Sequence, residues 1–470
     1  MRNRAWSGTG FLGRTRNALV SAWRDVMGVR RGTLAGGLRP DLPAEDIVRL
    51  RQRIDECLMA RGGEVSSRSR AAEIGTVYVG LSDEGRDRFL LLLANEYGIN
   101  RAHLAATITA LQRADEADYA AAMVRLREVL VPPRIRFLRQ FSSLKDGIKF
   151  LIDLRSDLRQ LTEKDRTLAE FESDFRELLA SWFDIGFLEL RRITWSTPAA
   201  LLEKLIVYEA VHEIRSWDDL KNRLDSDRRC YAFFHPRMPD EPLIFVEVAL
   251  VAGMADNIQT LLDETAPRAD LSLADTAIFY SISNAQKGLA GVSFGNFLIK
   301  QVIDDLGHDF PHVETFATLS PMPAFRSWID GVAAAGRGLL EPAETKQLSD
   351  ATGIEDGNQA LLSLIEDDSW AENPDKAAAL RPILLNLGAR YLVRERRNGR
   401  AIDPVAHFHL SNGARIERIN WLADRSAKGM AQSAGLMVNY RYDLSEIEAN
   451  HEAYTGEGRI TASSAVRGLL

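Results

Sequence analysis

The sequence predicts an α+β chain, with an all-helical first half and a mixed α/β second half that carries one helical insertion. Three observations predict it. Apolar residues recur at helical spacing from Ala44 to about Leu190, where Pro132 and Pro133 are the only prolines. Twelve of the sixteen prolines lie from Pro198 onward, and there the apolar runs shorten to strand length. Between Ile278 and Leu306 an apolar run, a loop with glycines 288, 291 and 295, and a helical repeat follow one another.

Residues 1–43 read as a basic N-terminal arm and linker. The first 32 residues hold seven arginines and one acid, Asp25, a composition that resembles an organellar transit peptide. In a bacterial protein the same stretch is a flexible or docking arm. Residues 44–190 form the helical domain. Leu50, Ile54 and Leu58 begin it, Arg86–Tyr97, Arg101–Arg113 and Tyr119–Val131 repeat the pattern, and Pro132–Pro133 opens a run from Ile135 to Leu151. This domain carries amphipathic faces and no cluster suited to catalysis, so its expected role is self-association as a dimer or tetramer.

Residues 191–470 form the catalytic domain. Cys230–His235 and Leu243–Leu250 read as strands, the second with Ile244, Val246 and Val248 on alternate positions. Val313–Leu319 is a strand ending at Ser320, and Phe325 to about Arg397 is the helical insertion. His407–Leu410 and Ala414–Trp421 read as a hairpin turned at Asn412-Gly413, and Leu436–Tyr442 as a last strand.

The net charge of −7 argues against nucleic acid as the main partner, so any basic surface for phosphates must be local. Cys57 and Cys230 are far apart and adjoin no other Cys or His, so neither a disulfide framework nor a zinc site is indicated and a reducing compartment is the simplest reading. Arginine heavily outnumbers lysine, as in a GC-rich bacterial genome, so the expected compartment is the bacterial cytoplasm. The alternative is mitochondrial, if the arm is a transit peptide. No apolar run reaches the length of a membrane span.

Three readings of the glycine loop stand open. It is a dinucleotide fingerprint, a tight strand-to-helix turn, or the pyrophosphate loop of a coenzyme A-binding acetyltransferase-like fold. The first lacks its acidic residue on the following strand; the third is matched by Gly295 but not by Ala290 or Ser293. Downstream, Ser320 is held extended by Pro321. On a strand, His407 and His409 would share a face; as a metal pair they lack a third ligand at suitable spacing.

The segments Tyr280–Val292, Thr318–Pro323, Asp403–Ala414, Arg418–Asp424 and Gly435–Tyr442, in this order, resemble the malonyl-CoA decarboxylase family. The resemblance covers about residues 190–450. It implies an acetyltransferase-like (GNAT-type) catalytic domain, a helical oligomerisation domain and tetrameric assembly. It implies catalytic roles for Ser320, which positions the malonyl group, and His409, which protonates the α-carbon. It places coenzyme A on Ala290, Gly291, Val292, Ser293, Phe294, Gly295 and Asn296, and substrate-pocket positions on Ser281 and Tyr442. Ser293 stands where some relatives have glutamate, and His407 where the family need not have histidine. The reaction asks for no metal or organic cofactor, because the thioester carbonyl takes the electron pair. The expected ligands are malonyl-CoA and acetyl-CoA. A coenzyme A-dependent acyltransferase and a non-catalytic acyl-CoA-sensing scaffold are the alternatives.

Overall fold

The structure, a computed structural model, describes residues 37–59, 63–183, 187–292 and 298–470. Most of the basic arm, and Ser293, Phe294, Gly295 and Asn296, lie outside the described residues. The chain divides into two compact units. One comprises Met1–Glu189, Phe233–Leu243 and Asn284–Phe294; the other comprises Leu190–Ala232, Ile244–Ser283 and Gly295–Leu470. The described part of the glycine loop, with Gly288 and Gly291, therefore groups with the helices.

The first unit is helical. Helix Ala44–Leu58 carries Glu45 and Asp46 in its first turn, where they complement the dipole, and buries Leu50, Ile54 and Cys57 along one face. Ser82 caps Asp83–Glu96 by accepting from the Gly85 N–H at 3.2 Å. Between them runs Gly63–Gly80, which sequence periodicity does not reveal. In its second half Ile74, Gly75, Thr76, Val77, Tyr78 and Val79 are all buried, and a stretch buried on every side has no polar stripe to set a period.

Arg101–Arg113 and Tyr119–Val129 follow with no buried residue at all, leaving Ile108, Tyr119 and Val124 exposed. The run from Ile135 to Leu151, predicted as one helix, is broken instead. Pro133–Arg139 passes into a 3-10 turn over Gln140–Ser143, Asp146 takes a left-handed φ of 58°, and a new helix runs from Gly147 to Lys164. A side chain at Gly147 would meet the Phe141 carbonyl oxygen, so the break needs glycine there.

The sheet strands are β1 (Glu189–Ile193), β2 (Arg228–His235), β3 (Met238–Val251), β4 (Thr276–Asn284), β5 (Thr315–Thr318), β6 (Ser320–Pro321), β9 (Arg415–Asn420) and β10 (Met437–Tyr442); β7 (Arg396–Arg397) and β8 (Arg400–Ala401) form a separate ribbon. The order is β1-β2-β3-β4-β5-β10-β6, with β9 also on β10. β4 and β5 are parallel, while β10 runs antiparallel to β5, β6 and β9. The sheet is thus mixed, and four helices between Phe325 and Val393 make the insertion.

The alternation predicted for the second strand does not hold. Phe245, Glu247 and Ala249 are buried like their neighbours, as in a strand covered on both faces. Glu247 is tolerated there because Arg223 meets it at 3.0 Å and is itself held by Asp219 at 2.8 Å.

Candidate active site

β5 and β6 are one line of chain, and β10 keeps a single register across both, with Arg441 opposite Ala317 and Val438 opposite Ser320. The ladder is interrupted between them because side chains stand in for backbone partners at Thr318. The Tyr440 N–H donates to Thr318 Oγ1 at 3.1 Å, and Asn439 Nδ2 donates to the Thr318 carbonyl at 2.7 Å. Leu319 turns to β4, its N–H donating to Phe279 at 3.0 Å. Thr318 and Ser320 thus face the same way at a break, and the Ser320 hydroxyl donates to Thr318 Oγ1 at 2.9 Å.

His409 arrives on a helix, not on the predicted strand. Asp403 caps Pro404–Ser411 by accepting from Val405 and Ala406 at 2.9 and 2.8 Å, and Pro404 occupies the first helical position. Tyr391 donates to the other Asp403 oxygen at 2.9 Å. On a helix, positions i and i+2 point about 200° apart. His407 therefore leaves the site, its Nδ1 lying 2.8 Å from Tyr454 Oη. The Asn412-Gly413 turn ends this helix and makes no hairpin: Gly413 has φ 81°, and Asn412 caps the last carbonyls.

His409 Nε2 lies 3.1 Å from Ser320 Oγ, and its Nδ1 lies 2.7 Å from Tyr442 Oη. Its ring stacks on Tyr440 at 4.5 Å between centroids. Tyr440 and Tyr442, two apart on β10, present the same face to the imidazole. Ser320 and His409 are only 6% and 3% exposed. Burial pushes His409 down to about 3, so the imidazole is neutral at pH 7, and burial pushes the Tyr442 phenol well above its ordinary value. With the Ser320 hydroxyl directed to Thr318, the network closes when Nε2–H donates to Ser320 and Tyr442 O–H donates to Nδ1.

The structure brings together Ser320, His409 and Tyr442 among the sequence-derived candidates. Ser281 is engaged elsewhere: its hydroxyl donates to both Glu209 oxygens at 2.9 and 2.8 Å, beside Ser283. Glu209 also accepts from the Val211 and His212 N–H groups at 2.8 and 2.7 Å. Ala290, Gly291 and Val292 follow the 3-10 turn Lys287–Leu289, and Gly291 has φ 76°. Gly288 packs so closely that an added Cβ would collide with the Ile152 carbonyl oxygen.

Thr318, Tyr440 and Asp403 went unseen in the sequence. The Asp-Pro pair at 403–404 carried a legible helix-start signal; nothing comparable marked Thr318. Among the described residues, no group of three or more His, Cys, Asp or Glu side chains converges to hold a metal ion. No described helix is long and apolar enough to cross a membrane.

The helices, the mixed sheet and the buried serine–histidine contact define a class, an α+β enzyme with a polar pair at a strand break. The family is narrower. The malonyl-CoA decarboxylase C-terminal domain matches residues 186–470 and the N-terminal domain of the same family matches residues 97–183. The chain is similar to mitochondrial malonyl-CoA decarboxylase of Rattus norvegicus, 37% identical over 420 residues covering 85% of each chain. The Anser anser anser relative of the same description is 38% identical over 416 residues, 84% of this chain and 82% of the relative. The crystal structure of malonyl-CoA decarboxylase from Rhodopseudomonas palustris superposes with a TM-score of 0.83 at 42% identity, covering 90% of this chain and 99% of that one. That from Agrobacterium vitis gives 0.80 at 42% identity with the same coverage. The chain belongs to the malonyl-CoA decarboxylase family, whose members are carboxy-lyases.

Proposed function

We propose that this chain converts malonyl-CoA to acetyl-CoA and CO2, with Ser320 and His409 as its catalytic residues. The observation that carries the roles is the 3.1 Å approach of Ser320 Oγ to His409 Nε2, buried at a strand break. The bond from the α-carbon to the carboxylate breaks, CO2 leaves, and the electron pair moves into the thioester carbonyl. The Ser320 hydroxyl holds the malonyl group so that this bond stands perpendicular to the carbonyl plane. Charge gathers on the thioester oxygen, where a fixed donor stabilises it. A proton from His409 Nε2 then forms the new C–H bond, and solvent restores it. A neutral imidazole suffices as donor because the enolate carbon is the stronger base. Tyr442 keeps the ring oriented through Nδ1, so it acts as a positioning residue. No step asks for a metal or an organic cofactor.

Purified protein incubated with malonyl-CoA alone tests the reading. Release of CO2 with matching acetyl-CoA supports it; product that appears only when an acyl acceptor is added would make the chain an acyltransferase instead.

Self-association as a dimer or tetramer belongs to the same proposal. Helices of 13 and 11 residues with no buried position are marginal on their own, and Arg101–Arg113 and Tyr119–Val129 leave apolar side chains exposed. Both cysteines are free and buried, in keeping with a reducing compartment such as the cytoplasm.

A further inference from the structure

Arginines of the helical unit surround the described part of the glycine loop. Arg155, 1% exposed, donates to the carbonyls of Gly288 at 2.6 Å and Ala290 at 3.1 Å and pairs with Glu172. Arg159 donates to the Lys287 carbonyl at 2.9 Å. These two guanidinium groups fasten the loop to helix Gly147–Lys164.

A cavity of about 520 Å³ opens beside them, lined by Arg155, Arg159, Arg166, Arg176, Ala290 and Gly291 together with Glu163 and Glu172. Glu172 is committed to Arg155, so the lining carries a surplus of positive charge in a chain whose net charge is −7. Arg166 makes no ion pair among the described residues, and the Arg176 Cδ would stand 3.7 Å from a Cβ at Gly291. Burial lowers the proton affinity of Arg155, and Arg159 and Arg176 lower it further, although Glu172 opposes them. Like charges gathered around a cavity are a cost that a bound anion removes. A phosphate monoester, close to dianionic at neutral pH, accepts paired N–H donors from several guanidinium forks.

The loop itself narrows the choice of phosphate. A pyrophosphate cradled by this loop needs backbone N–H donors. Toward the arginines the described part of the loop presents the carbonyls of Lys287, Gly288 and Ala290 instead. An anion in this cavity would therefore be met by the arginine side chains. We propose that Arg159, Arg166 and Arg176 hold the 3′-phosphate of coenzyme A, which gives the helical unit a part in ligand recognition. This rests on the reading of the substrate as a coenzyme A thioester.

Calorimetric titration of the full chain with coenzyme A and with 3′-dephospho-coenzyme A tests it. The wild-type protein binds coenzyme A tighter by about tenfold or more, the worth of one to two charge-assisted hydrogen bonds. In the Arg166→Gln/Arg176→Gln variant that ratio falls to near one, through loss of coenzyme A affinity alone. Arg166→Gln by itself, at an exposed side chain, gives an intermediate ratio and guards against a folding defect in the double variant. A wild-type ratio near one, a ratio kept by the variants, or equal weakening of both ligands overturns the assignment. Malonyl-CoA turnover, measured alongside, separates the two claims. Turnover without 3′-phosphate discrimination sinks the subsite alone; discrimination without turnover sinks the reaction and leaves the subsite standing.

Discussion

Ser320 and His409 stand 89 residues apart in the chain, yet Oγ and Nε2 meet at 3.1 Å. Two local devices make that contact. A strand broken at Thr318 presents the serine, and an Asp-capped helix presents the histidine.

The second nitrogen of His409 is fixed by Tyr442 at 2.7 Å. Tyr442→Phe leaves that nitrogen buried without a partner, which costs about 1–3 kcal/mol. If the ring loses its orientation to the same degree, turnover falls by about tenfold or more. KM for malonyl-CoA moves little, because the phenol acts through the histidine. Steady-state kinetics on the variant check both parts.

Burial holds His409 down to about 3 against an ordinary 6.5. Between those values the unfolded chain binds a proton that the folded chain refuses, so stability rises with pH across the window and is lost as pH falls below about 6.5. His409→Gln therefore makes the acid limb of stability shallower. His212, pushed down to about 4 chiefly by burial, contributes with the same sign, so the limb does not become flat. Urea midpoints measured from about pH 4 to pH 7 show the difference.

Gly288→Ala puts a Cβ on the Ile152 carbonyl oxygen, with no flexible side chain to yield. Overpacking of this kind costs about 1–3 kcal/mol or more. The expected result is a lower thermal midpoint, read by calorimetry, together with weaker coenzyme A binding as the loop shifts.

Assembly is tested on the exposed helices. A charge at Val124 or Ile108 spoils an apolar contact between subunits but disturbs no buried side chain of the same subunit. Light scattering on the Val124→Glu/Ile108→Glu variant should give a smaller species than the wild-type chain. An unchanged mass would move the interface elsewhere.

What the sequence revealed follows from how local each signal is. The helical first half and the strand–loop–helix at Ile278–Leu306 were legible because periodicity and glycine placement act over a few residues. Helix Gly63–Gly80 was hidden because its second half, Ile74 to Val79, is buried on all sides, which erases the polar stripe there. The break at Gly147 was hidden because the collision that requires glycine is with Phe141, and the apolar spacing runs on across it. At residues 403–413 two signals competed. The hairpin signal of Asn412-Gly413 pointed to strands, while Asp403-Pro404 marked a helix start, and tertiary packing favoured the helix. That choice decides the site, since a strand would have aimed His407 and His409 together. The tyrosines that hold His409 sit on β10, and their pairing with it depends on topology that no local pattern encodes.

The most direct test of the account compares the two histidines in malonyl-CoA decarboxylation. His409→Ala should lower turnover by about 10²–10⁴-fold, the usual worth of a general acid. Malonyl-CoA binding should be retained, because the proton is needed only after substrate is held. His407→Ala, which loses only its contact with Tyr454, should keep most of the activity. Near-normal turnover in His409→Ala, or abolished turnover in His407→Ala alone, would contradict the assignment.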